Sequence, residues 1–296
     1  MKTGRNILIL IALMAPLWSQ AQGRKEKSPV DTSEITVKVI TEKNKDSVIV
    51  TENGQAWVKA SKKRNVATSW LGIDLGFANF ADNTNYTGAA AQAYAPGANA
   101  NWFDLRFGKS INVNIWIVTQ KINLVQHTLN LKYALGLELN NYRFKNPVRF
   151  NPDPATNVPD PAVVYMDNEP NRNYSKNKLA ADYLTVPLML NVAFPSKNRK
   201  IAEVGNKTVK IKASREFGFS FGVSAGYLYA SRNKTITSDN GKQKAKDNFD
   251  LNPWKLSYVG ELNLGYLSLY GSYAIKSMFK RGLEVTPYTV GIRLGL

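Results

Sequence analysis

A chain of 296 residues with 39 Lys and Arg against 22 Asp and Glu carries a formal charge of +17, and it holds one histidine and no cysteine. That composition excludes a disulfide framework, a thiolate nucleophile and a sulfur-ligated metal site, so the fold must be held by packing and hydrogen bonds alone. The length suits one large all-β domain with appendages or two small domains.

Residues 1–21 read as an export signal. Lys2 and Arg5 supply a positive start, residues 7–18 an apolar stretch too short for a comfortable membrane span, and Ser19-Gln20-Ala21 a small-x-small cleavage site. Cleavage is expected before Gln22, and no cysteine follows to carry a lipid anchor. Residues 22–67 are crowded with lysine and glutamate around two short β-like runs, 35–40 and 47–51. They predict a charged periplasmic extension or a small hairpin.

From residue 68 to 296 the dominant signal is a period of two. Leu71, Ile73, Leu75 and Phe77 alternate with Gly72, Asp74 and Gly76, and Ile111, Val113, Ile115 and Ile117 form the next stripe. Leu129 to Leu139 places Leu or Tyr at every odd position, against Asn130, Lys132, Gly136 and Glu138. Further stripes run through Leu184–Val186–Leu188–Leu190–Val192, through Phe217–Phe219–Phe221–Val223, through Leu256–Tyr258–Leu262–Leu264, through Leu267–Leu269–Tyr273–Ile275, and through Tyr288–Val290–Ile292–Leu294–Leu296. These eight segments have one apolar and one polar face, the pattern of β-strands. No stretch after the signal is apolar over the eighteen or so residues of a transmembrane helix, so a membrane could be crossed only by strands.

The polar stripes mix Gly and Ser with isolated charges, Lys132, Glu138, Glu261, Lys276 and Arg293, which suits a narrow interior. The apolar stripes are long, almost uncharged and flanked by aromatic residues, as expected of a lipid-facing surface with interfacial girdles. The predicted fold is therefore all-β, an eight-stranded antiparallel up-and-down transmembrane β-barrel. A soluble lipocalin-like binding barrel, with the apolar stripes turned inward, is the alternative. Residues 81–101, 145–176 and 232–252 predict long polar external loops, while links near 121–126 and 265–266 are tight and put both barrel ends on the periplasmic side. The link 194–213 is long and basic and breaks that rule.

Three segments carry a family resemblance: Trp70-Leu71-Gly72-Ile73-Asp74, then Leu137-Glu138-Leu139-Asn140-Asn141-Tyr142-Arg143-Phe144, and Tyr183-Leu184-Thr185-Val186-Pro187-Leu188. On these, residues 68–296 resemble the PorT-like outer-membrane β-barrel family of Bacteroidetes-type Gram-negative bacteria. The resemblance implies an eight-stranded barrel in the outer membrane, a possible link to secretion or envelope assembly, and no catalytic residues.

Barrel enzymes that modify lipids use a His-Ser pair with a carboxylate on the external side. His127 falls beside a tight periplasmic link, so no catalytic residue is assigned. Asp153, Asp160, Asp167 and Glu169 share one loop, but their spacing fits no calcium motif, and no metal or cofactor is expected. An eight-stranded barrel is only just wide enough for side chains to fill. Lys132 and Arg293 are expected to face Glu138 or Glu261 across the interior as a charge network that plugs it. The expected partners are outer-membrane lipids and lipopolysaccharide, the barrel assembly machinery and an envelope protein, with no role for nucleic acid. A narrow transporter or a lipid-modifying barrel is the functional alternative to a closed structural or interaction protein.

Overall fold

A computed structural model describes residues 35–42, 45–52, 55–62, 65–152, 154, 157, 161–195, 216–265 and 267–294. The signal segment 1–21, residues 196–213 of the basic link, Asp153, Asp160 and Leu296 lie outside the described residues.

Three strands of eight residues open the described chain: β1 (Ile35–Glu42), β2 (Lys45–Glu52) and β3 (Gln55–Lys62). They form an antiparallel sheet in the order β1-β2-β3. Glu42 stands opposite Lys45 and Glu52 opposite Gln55, so each link is two residues long. The extension is thus a three-stranded sheet and not a hairpin. β3 went unread because lysines interrupt its apolar run.

The rest of the described residues supply eleven strands: β4 (Val66–Asp82), β5 (Ile111–Val125), β6 (Leu129–Arg143), β7 (Val148–Phe150), β8 (Val164–Met166), β9 (Tyr174–Pro195), β10 (Glu216–Thr237), β11 (Gly241–Lys246), β12 (Trp254–Leu264), β13 (Leu267–Ala274) and β14 (Val285–Leu294). Eight of them follow one another as antiparallel neighbours, β4-β5-β6-β9-β10-β12-β13-β14, and β14 pairs back onto β4 from Val285 opposite Asp82 to Arg293 opposite Asp74. The result is a closed, barrel-like ring of eight strands, each of which contains one of the eight stripes. Closure leaves no unpaired edge in the ring.

Alternation decides what each face meets. In the first part of β10 the odd positions are exposed, with Phe217, Phe219, Phe221 and Val223 each at least 41% accessible, while the alternate Ser220 and Ser224 are buried. Leu75, Leu188, Leu256, Leu269 and Val290 are likewise exposed on the outside. Asp74, Asn112, Asn140, Asn191 and Glu261 are buried inside. Trp116 and Tyr270 project into that interior, and glycine admits them. A Cβ on Gly136 would stand 2.7 Å from the Trp116 ring, and one on Gly76 would collide with the Tyr270 hydroxyl.

The two ends of the ring differ. At one end β5 and β6 are joined by residues 126–128, where Gln126 and His127 both take positive φ and Thr128 N donates to Val125 O at 2.9 Å, and β12 and β13 are joined by 265–266. β5 runs to Val125, so the tight link begins later than the sequence suggested. At the other end four links fold together. The first, 83–110, carries helix α1 (Ala89–Tyr94) and two short 3-10 turns, and the second holds the β7–β8 hairpin. The third begins only after Thr237, because residues 232–237 still belong to β10 and pair with β11. The fourth, 275–284, places Lys276 exposed outside the ring and not on its inner wall.

Candidate functional site

Inside the ring the sequence-predicted charges come together with two partners that had not been assigned. Glu261 on β12 accepts from Lys132 on β6 and, at 2.5 Å, from Arg293 on β14. Arg293 also forks onto Asp74 of β4, with Nε donating to Oδ1 at 2.6 Å and Nη2 to Oδ2 at 2.8 Å. Glu138 does not join this group. It takes Lys255 of β12 as its ion-pair partner and accepts from Asn140 at 3.0 Å and Thr185 at 3.4 Å. Three cations, Lys132, Lys255 and Arg293, thus face three carboxylates, Asp74, Glu138 and Glu261.

The two groups are joined by side-chain amides. Asn114 Nδ2 donates to Asp74, Asn112 Nδ2 donates both to Asn114 at 3.1 Å and to Asn140 at 2.8 Å, and Asn140 passes the chain on to Glu138. The Trp116 indole N–H donates to Asp74 at 2.7 Å, the Tyr270 hydroxyl donates to Asn112, and the Arg293 guanidinium lies 5.5 Å from the Trp116 ring centroid. Nearer the tight-turn end, Asn130 donates to Asn191, which donates to Ser220 at 3.0 Å. Buried ions are tolerable only when paired and hydrogen-bonded, and every ion in this network has such partners. What the network leaves is a cavity of about 40 Å³ bounded by Asp74, Trp116, Glu138, Glu261 and Arg293. That is room for a few waters at roughly 10–15 Å³ each.

Beyond the interior, the four links at the far end build an apolar core over the mouth. Tyr94 of α1 is fully buried and touches the other three. Its hydroxyl donates to Phe249 O at 2.7 Å, its carbonyl accepts from Val163 N at 2.9 Å, and its ring meets Phe279 edge-on at 5.6 Å. Burial pushes the Tyr94 phenol well above its ordinary value, so it stays a donor. Phe150 meets Phe249 edge-on at 5.5 Å and stacks on Phe279 at 6.4 Å, and Gly282, at φ +78, lies against Tyr94 where a Cβ would collide. Loops expected to be solvated are therefore a packed lid.

The remaining sequence candidates sit apart. His127 occupies the tight turn and donates its backbone N–H to Asn123 at 2.6 Å. Asp167 accepts from Arg172 at 2.8 Å and from Tyr174, with Arg149 at 3.7 Å, and Glu169 contributes its backbone N–H. Burial raises the Asp167 carboxyl, but these donors outweigh it and hold it below the usual carboxylate range. Arg172 also binds Asp239 at 2.7 Å and brings that carboxyl down to about 2. Asp167 is thus a tie within the lid. Among the described residues no group of three His, Asp or Glu is disposed to hold a metal. Set against protein-family models, curated proteins and solved structures, the chain matches none.

Proposed function

We propose that this chain is an integral outer-membrane barrel of a Gram-negative bacterium, closed to solutes, acting as a structural or interaction protein with its lid on the external side. The observation that carries this reading is the inverted pattern of the ring. Thirty large apolar residues are exposed in the described chain, most of them on the outside of the ring, while the inside holds ions and amides. In water such a surface would drive aggregation; in lipid it is the favourable one. Strands whose backbone groups are all paired within a closed ring meet the other requirement of a bilayer.

The closed state is supported by the neutral charge network and by the lid above it. A porin would need an open aqueous lumen, whereas here two successive layers of side chains fill the path. The resemblance of the Trp70, Leu137 and Tyr183 segments to PorT-like barrels agrees with a role in secretion or envelope assembly through a protein partner. Residues 1–21 would then direct export, with the tight turns left in the periplasm.

Membrane fractionation, gel migration before and after boiling, and planar-bilayer recording test this. The expected result is an outer-membrane protein with heat-modifiable mobility and no sustained conductance. Recovery as a soluble periplasmic protein would refute the membrane reading, and stable channels would refute closure.

A further inference from the structure

Above the apolar belt the outer surface changes sign. β9 and β10 continue past the ring's exposed leucines and phenylalanines, and β11 pairs onto β10 there in place of β12. Arg143 of β6 stands opposite Lys178 of β9, Lys178 opposite Lys234 of β10, and Lys234 opposite Lys244 of β11. Four cations therefore lie in one line across four strands, at about 4.8 Å per strand. The adjoining cross-strand positions repeat the sign, with Arg232 opposite Lys246 on one side and Lys176 and Lys242 flanking Ile236 on the other.

Like charges placed directly opposite one another destabilise a sheet, so such a row costs stability unless an anion lies over it. Asp182 takes Arg232, but no described carboxylate pairs with Lys176, Lys234, Lys242, Lys244 or Lys246. Burial, and then Lys176, Lys234 and Arg232, push the Lys178 amine down to about 8. Height fits a membrane surface. On β9 the positions in phase with Lys178 run through Ala180 and Asp182, both buried, into Leu184, Val186 and Leu188. From Leu184 to the Lys178 level is six residues, roughly 20 Å along a tilted strand, and long basic side chains reach back toward the interface.

We infer that this face of β6, β9, β10 and β11 docks the phosphate groups of outer-leaflet membrane lipids, holding the barrel to phosphorylated glycolipid on one side only. The inference rests on the outer-membrane reading above. A phosphate presents several acceptor oxygens and enough charge to engage two or three members of the row together. Successive strands offer a second phosphate an equivalent place.

The test titrates the purified full chain in neutral detergent with bis-phosphorylated lipid A and with its dephosphorylated counterpart, read by native mass spectrometry. Three proteins are compared: wild type, the row variant Lys178→Gln/Lys234→Gln/Lys244→Gln, and a control with the exposed Lys109, Lys276 and Lys280 changed to Gln. A cation beside an anionic membrane surface contributes about fivefold in affinity, so the row variant should lose roughly 100-fold for the phosphorylated lipid while the control matches wild type. Salt should erode the wild-type preference. Equal binding of both lipids, or equal loss in row variant and control, would each overturn the proposal. Heat-modifiable migration and retention in phosphate-free phosphatidylcholine vesicles are read in parallel. Their absence in wild type refutes the membrane reading itself and the docking with it, whereas their presence without a phosphate preference refutes only the docking.

Discussion

The lower ring and the lid obey opposite rules, and the same strands pass through both. Along β9 the buried positions near the tight turns are Asn191 and Thr185, with Leu188 and Leu190 outside. Higher on that strand Leu179, Ala181 and Tyr183 are buried and the outward residues are Lys176 and Lys178. The reversal falls at Asp182, and on β10 it coincides with a bulge between Leu228 and Ala230. A strand keeps its period of two whatever surrounds it, so the change in which face is apolar is what the proposed membrane placement requires, with lipid below and water above. The lid is an ordinary hydrophobic core, and the ring is one turned inside out.

Perturbations should separate the two regions, and the largest effect is expected in the interior. Asp74→Ala leaves Arg293 with Glu261 alone and removes acceptors from Trp116 and Asn114. Breaking a buried ion pair in this way costs about 3–5 kcal/mol. Urea titration of the folded, heat-modifiable band should show a correspondingly lower midpoint; an unchanged midpoint would mean that the network does not support the ring. Next in size is Phe221→Arg on the outer face. A cation at bilayer mid-depth costs about 2–4 kcal/mol in a lipid-facing position. Folding yield into phosphatidylcholine vesicles should fall, and a yield equal to wild type would place this face in water.

Tyr94→Phe tests the lid with the ring left intact. It removes the hydrogen bond to Phe249 O at a cost of about 1 kcal/mol, and limited proteolysis should cut the 83–110 and 144–173 links faster while heat-modifiability persists. The smallest effect concerns acid. Asp167 and Asp239 both titrate below their ordinary range of about 4, so their contribution to the lid is complete above that pH and declines as pH falls toward about 2. Pepsin sensitivity of the lid should therefore rise below pH 4, and Arg172→Ala should weaken that pH dependence, leaving the part held by Tyr174 and the Glu169 N–H. A lid equally resistant at pH 2 and pH 4 would remove these carboxylates from the account.

The eight ring strands were legible because alternation over eight to ten residues has few other causes. The interior was half legible. Lys132, Glu261 and Arg293 meet as the stripes predicted, but Glu138 turns to Lys255, which sits at the start of β12 between Trp254 and Leu256. Its odd number places it on the inward face with Ser257 and Glu261, and that parity was the available signal. Asp74 was visible on a polar stripe, yet nothing in sequence spacing says that the first and last strands of a ring become neighbours. The lid was hidden for a different reason. Tyr94, Phe150, Val163, Phe249 and Phe279 lie scattered among Asn, Gly and Pro with no period, and only closure of the ring assembles them. The turn at Gln126-His127 likewise lacks the Asn-Gly signature that its positive φ values would favour.

A cysteine-free chain allows the central claim to be examined residue by residue. Single cysteines placed along β10 from Phe217 to Ile236 would carry nitroxide labels, and their spin relaxation by oxygen and by a water-soluble nickel chelate would be compared in vesicles. The inversion predicts that labels at Phe217, Phe219, Phe221 and Val223 are relaxed by oxygen and sheltered from nickel, with the preference reversing at Arg232 and Lys234. Strong nickel access at Phe219 and Phe221 would contradict it and return the outer face of the ring to water.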